Sequence, residues 1–147
     1  MARLKIDTGS KSYEIEDENG KLLGTIIIYP SDLNLGKRLK DGEKNINALV
    51  ESAEIIANDE SKSEEDKAND IYELDCKIKE QLDYMFNSNV SEVVFKALNC
   101  LDLNNGKYFI ERFLEMIIPI ITKELESTAK ASKNRIDKYS SQASKRR

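Results

Sequence analysis

Three groups of side chains in this sequence could carry chemistry: two cysteines, an acidic cluster, and a Lys- and Arg-rich end. Histidine is absent, which removes the commonest general base, the commonest metal ligand and every Ser-His or Cys-His nucleophile pair. Cys76 and Cys100 are too few and too far apart to outline a metal site. They are expected as two reduced thiols, each at least partly buried. Asp59, Glu60, Glu64, Glu65, Asp66 and Asp70 could be imagined around a cation. They fall at a helix start, however, where the dipole alone favours carboxylates, so a solvated acidic face is expected. Asp102-Leu103-Asn104-Asn105-Gly106 has the outline of a calcium loop, yet its glycine comes one position early and the closing Glu is missing. It is read as a turn. The six glycines are scattered, and none opens a helix as a phosphate loop requires. No catalytic residue, metal or cofactor is therefore assigned, and an enzyme is the least favoured class.

The third group is the basic end. Residues 128–147 hold seven Lys or Arg (Lys130, Lys133, Arg135, Lys138, Lys145, Arg146 and Arg147) against the single Asp137. The formal net charge is −4, so residues 1–127 carry about −10 by difference. Such a tail could bind nucleic acid through phosphates. Only Tyr139 offers a stacking surface there, and the acidic body would repel the same polyanion. Nucleic acid is accordingly disfavoured as a partner.

The elements that would position any site read as α+β, mostly α. Tyr13 and Ile15 alternate with Glu14 and Glu16, the period of a half-buried strand. Asn19-Gly20 suits a tight hairpin turn, and Leu22–Tyr29 reads as a second strand, apolar on both faces. Leu4 and Ile6 could supply a third, shorter strand. Pro30-Ser31-Asp32 ends the β segment, with Ser31 or Asp32 as the cap of a first helix. That helix carries the stripe Leu35, Leu39, Ile46, Leu49, Val50, Ala53 and Ile56, weakened in its first half by Gly36 and Gly42. Asn58–Asp66 is polar and contains two alternative capping boxes, beginning at Ser61 and at Ser63. A second helix, from about Glu64 to Phe86, places Ala68, Ile71, Leu74, Ile78, Leu82 and Met85 on a narrow seam. Two such helices should pack as an antiparallel hairpin. Ser91 is the expected cap of a short helix holding Val93, Val94, Ala97 and Leu98. A turn at Asn104-Asn105-Gly106 leads to a long final helix that begins near Lys107 and extends toward Ile136 and Tyr139.

The final helix is the most unusual element. At about 100° per residue, its apolar side chains between Tyr108 and Leu125 cover an arc of roughly 200°, twice the stripe of an ordinary surface helix. Ile110, Leu114, Ile117, Ile121 and Leu125 form one stripe, suited to the protein's own core. Phe109, Phe113, Met116 and Ile120 form the other: either neighbouring elements pack the helix on this side too, or these four are the candidate partner-binding residues, for another protein or a second copy of this chain. Pro119 falls on the polar side, where a lost backbone hydrogen bond costs least.

The length of 147 residues fits one domain. Residues 1–127 form it, with the β segment at 4–29 and the helical part at 31–127. Residues 128–147 extend the last helix or form a mobile tail. The longest apolar run, Met116–Ile121, is far short of the roughly 20 residues that span a bilayer. The start shows no apolar signal segment, and the chain is expected in the cytoplasm, without membrane contact.

Taken in order, these pieces resemble the tail assembly chaperones of tailed phages and prophages of Gram-positive bacteria. The resemblance spans roughly residues 10–140. It rests on the Lys11-Ser12-Tyr13-Glu14-Ile15 opening, the two amphipathic helices, Asn89-Val90-Ser91-Glu92-Val93-Val94-Phe95 and Gly106-Lys107-Tyr108-Phe109. It continues through Phe113-Leu114-Glu115-Met116-Ile117-Ile118-Pro119-Ile120-Ile121 to the basic end. The resemblance implies a non-enzymatic protein of the host cytoplasm that keeps the long, apolar, helical tape measure protein in solution. The tail tube protein is a second candidate partner. Two other readings stand beside it: a nucleic-acid-associated phage regulator that uses the basic tail, and a structural subunit of the tail itself.

Overall fold

The computed structural model describes the backbone of residues 1–145 and the side chains of residues 1–131. The architecture is α+β: an N-terminal hairpin, a pair of long antiparallel helices, a short helix, and a long C-terminal helix. Strands β1 (Lys11–Glu16) and β2 (Leu22–Ile28) pair antiparallel, with Tyr13 opposite Ile26 and a register shift after Ile15. Ile26 and Ile28 are buried, whereas Ile27 and Leu22 are exposed. The strand expected to be apolar on both faces is thus covered on one of them only. The expected third strand does not form: residues 1–10 have no regular structure, and Leu4 and Ile6 are exposed.

The two Asn-Gly pairs behave differently. At Asn19-Gly20 only Gly20 takes a positive φ, of 78°. Asp17 and Lys21 close the turn, and the Asp17 carboxylate accepts the Asn19 and Lys21 amides at 2.8 and 3.0 Å. The turn is therefore one residue longer than a two-residue hairpin connection, because the Asp17 side chain organises it. The two-residue form occurs at Asn105-Gly106, where both φ are positive, at 54° and 78°. It joins the short strands β3 (Leu103–Asn104) and β4 (Lys107–Tyr108). The calcium-loop outline at Asp102 is thus a hairpin turn, and no group of residues that could hold a metal ion is found among the described residues.

Helix α1 spans Leu35–Ala57 and starts later than the expected caps. Neither Ser31 nor Asp32 is the cap; Asn34 holds that place without a side-chain bond. The Asp32 carboxylate instead accepts the Asn34 amide and pairs with Arg38, whose guanidinium holds that carboxyl below the usual range. Helix α2 spans Glu64–Phe86. Of the two capping boxes, the Ser63 one is used: its hydroxyl accepts the Asp66 amide at 3.1 Å, a bond worth about 1 kcal/mol at such positions. Leu74, Ile78, Leu82 and Met85 are buried as the seam requires, but Ala68 is exposed. Lys67 closes that end, donating to the Ala57 carbonyl at 3.3 Å.

α1 and α2 pack along their lengths. Asn45 donates to Gln81 between them, and Gly42 lies against Met85. Gly42 therefore does not break α1; it lets α2 approach. Helix α3 is short, Val90–Phe95, and packs on β2 and α2. Ser91 is not its cap, since it sits inside the helix. The α2 side chain Asp83 accepts both the Ser91 amide and hydroxyl at 2.8 Å. Ala97 and Leu98 lie beyond this helix and are exposed. Helix α4 spans Phe109–Lys145 and runs through Pro119, which is exposed as its polar position implies.

Candidate partner-binding face

The two stripes of α4 have different surroundings. Ile110, Ile117 and Ile121 are buried, and Leu114 and Leu125 pack against the same core. The groove between α1 and α4 brings Ile46 and Val50 near Ile110 and Leu114. Farther along, Lys11 of β1 donates to Glu124 of α4 at 2.5 Å, which ties the helix to the hairpin and raises the Lys11 pKa.

The second stripe is divided. Phe95, fully buried at the end of α3, meets Phe109 edge-on with ring centroids 4.7 Å apart at 88°. It also meets Phe113 at 6.2 Å and 72°. Such pairs contribute about 0.5–1.5 kcal/mol beyond their burial. Phe113 is only 4% exposed, and Phe109 is half-buried beneath the Arg112 guanidinium, 4.9 Å from its ring. One and two turns farther on, the cover ends. Met116 is 48% and Ile120 39% exposed. The four candidate residues therefore separate into two that α3 shields and two that face outward. The shielding residue, Phe95, falls in the sequence within the short helix expected to hold Val93 to Leu98, with nothing to say what it covers.

The other candidate groups are accounted for locally. Cys76 is exposed, contrary to expectation, because it lies off the buried seam that Leu74, Ile78 and Leu82 form on α2; Cys100 is buried. The Asp75 carboxylate accepts the Cys100 amide at 2.8 Å and pairs with Lys79 at 3.0 Å. Lys79 also donates to the Leu98 carbonyl at 2.9 Å. Burial, followed by hydrogen bonding with Asp75, pushes the Cys100 thiol far above its ordinary pKa, so it is a poor nucleophile. In the acidic cluster, Glu64, Glu65 and Asp66 form the first turn of α2, and Asp70 pairs with Lys62. Ser61 donates to Asp59 and holds its carboxyl low. Lys130 of the basic end is exposed. The side chains of Lys133, Arg135, Lys138, Tyr139 and Lys145, with Arg146 and Arg147, lie outside the described residues. No described helix is long and apolar enough to cross a membrane.

No protein-family model, curated protein or solved structure was found to match this chain.

Proposed function

We propose that this protein is a phage tail assembly chaperone that binds the tape measure protein in the host cytoplasm. The observation that carries the reading is the stripe of α4 that emerges from beneath Phe95 with Met116 and Ile120 uncovered. These residues stand four positions apart on one helix, the spacing at which an apolar helix docks against another. A partner that is itself long, helical and apolar would cover them without demanding a specific sequence. The acidic body then keeps the complex in solution by self-repulsion.

The test is co-expression with a phage tape measure protein. The wild-type chain is expected to hold that protein in the supernatant after centrifugation. Met116→Asp with Ile120→Asp is expected to send it to the pellet, while the variant itself keeps its circular dichroism and thermal midpoint. Full activity in that folded variant would remove the α4 face from the mechanism.

A further inference from the structure

The two edges of the N-terminal hairpin are treated differently. Along the outer edge of β2, Ser88 Oγ donates to the Ile27 carbonyl at 2.9 Å, and Lys96 Nζ donates to the Leu23 carbonyl. That edge is closed by side chains from the α2–α3 region. Since the Ile27 and Leu23 carbonyls point away from β1, the antiparallel alternation directs the amides and carbonyls of Ser12 and Glu14 to the opposite edge. Among the described residues nothing bonds to them there. An open strand edge is a template for another strand, and a two-stranded hairpin is by itself marginal.

A complementary segment is present elsewhere in the chain. Residues 2–6 alternate apolar and basic side chains, with Arg3 and Lys5 interleaved among Ala2, Leu4 and Ile6. Leu4 is 95% and Ile6 87% exposed, so the apolar side of this arm is bare. On β1, Tyr13 and Ile15 are half-buried, while Glu14 and Glu16 are exposed.

We propose that residues 2–6 of one copy add as an antiparallel strand to the β1 edge of a second copy. The register that fits sets Lys5 opposite Glu14 and Arg3 opposite Glu16 on the outer face. On the inner face it sets Leu4 opposite Ile15 and Ile6 opposite Tyr13. Both charges and both apolar residues are then matched across the strands. The arm cannot reach this register on its own β1. Ser31 Oγ donates to the Thr8 carbonyl at 3.5 Å, and Gly9 lies against the Ser31 side chain. Turning back would also peel Lys11 from its place opposite Ile28. Pairing two β1 edges directly is disfavoured, because it would crowd the Glu14 and Glu16 carboxylates of both copies.

The full chain in a Cys76→Ser background provides the test. A Leu4→Cys chain and an Ile15→Cys chain are mixed under mild oxidation and separated by non-reducing electrophoresis. The expected product is a disulfide-linked pair containing one of each, because non-hydrogen-bonded antiparallel neighbours lie within disulfide reach. No mixed pair, or a Leu4→Cys, Ile15→Cys double variant that closes only within one chain, would overturn the proposal. A second measurement uses exposed residues alone and so leaves folding untouched. Arg3→Glu with Lys5→Glu is expected to weaken self-association in sedimentation velocity by about tenfold or more. Adding Glu14→Lys and Glu16→Lys to that chain should restore it; a combined variant no tighter than the arm variant contradicts the pairing.

Discussion

Gly42 of α1 lies so close to Met85 of α2 that a Cβ added to it would stand 1.9 Å from Met85 Cγ and 2.6 Å from Sδ. Helix propensity and packing therefore oppose each other at this position. Alanine favours a helix interior over glycine by about 1 kcal/mol, but overpacking a filled core costs about 1–3 kcal/mol. Packing wins, and Gly42→Ala is expected to destabilise. Gly36, in the same helix, has nothing within 4 Å of its added Cβ. Gly36→Ala is expected to stabilise by about 0.5–1 kcal/mol. Urea midpoints of opposite sign for the two variants would show that α2, and not the glycine's flexibility, selects Gly42.

Asp83 couples α2 to α3 through the two bonds that it accepts from Ser91. Asp83→Ala leaves a buried hydroxyl and a helix-start amide without a partner, at an expected cost of about 1–3 kcal/mol. Asp83→Asn keeps a carbonyl for the amide and a donor for the hydroxyl oxygen, so it should lose less than half of that. Equal losses for the two variants, in thermal or urea unfolding, would mean that the acid's charge matters more than its bonding geometry.

The balance between what was legible in the sequence and what was not follows from the range of each interaction. Strand alternation at Tyr13 and Ile15 and the three-to-four spacing from Ile71 to Met85 are local patterns, and both elements form where those patterns lie. The turn at Asn104-Asn105-Gly106 is equally local. Errors arose where a side chain had a choice of partners. Asp32 binds Arg38 and the Asn34 amide and so leaves α1 to begin at Leu35. Ser91 is claimed by Asp83 from another helix, and Asp17 lengthens the first turn. At the α4 face, periodicity identified an arc wide enough to need cover on two sides. It did not tell Phe113 from Met116, because that distinction depends on Phe95, which stands on a separate element.

The two thiols should differ sharply in reactivity. Cys76 is exposed and Cys100 buried with a raised pKa, so a thiol-specific reagent at neutral pH should modify Cys76 alone, and both residues only after denaturation. The raised pKa also has a thermodynamic consequence. Above the ordinary thiol value of 9.0 the unfolded chain releases this proton while the folded chain retains it. The unfolded state then binds fewer protons, and stability falls as pH rises. Cys100→Ala should flatten that alkaline slope in urea titrations. An unchanged slope would assign the loss to other groups.

The division of the α4 stripe yields the most direct comparison. Phe113 touches Phe95 and is 4% exposed, whereas Met116, three residues on, is 48% exposed. Phe113→Ala is expected to cost about 3–5 kcal/mol, the usual loss for a buried aromatic ring. Phe113→Asp adds a buried charge without a partner and should prevent folding outright. Met116→Asp is expected to change stability by less than about 0.5 kcal/mol, as at other exposed positions. The two sites therefore test different things. Loss of the proposed partner binding in a Phe113 variant would report unfolding, while loss in a folded Met116 variant would report contact. Thermal unfolding of the four chains, run before any binding assay, decides which comparison is valid. A Met116→Asp chain destabilised as strongly as Phe113→Ala would place Met116 in the packed core and close the outward face of α4.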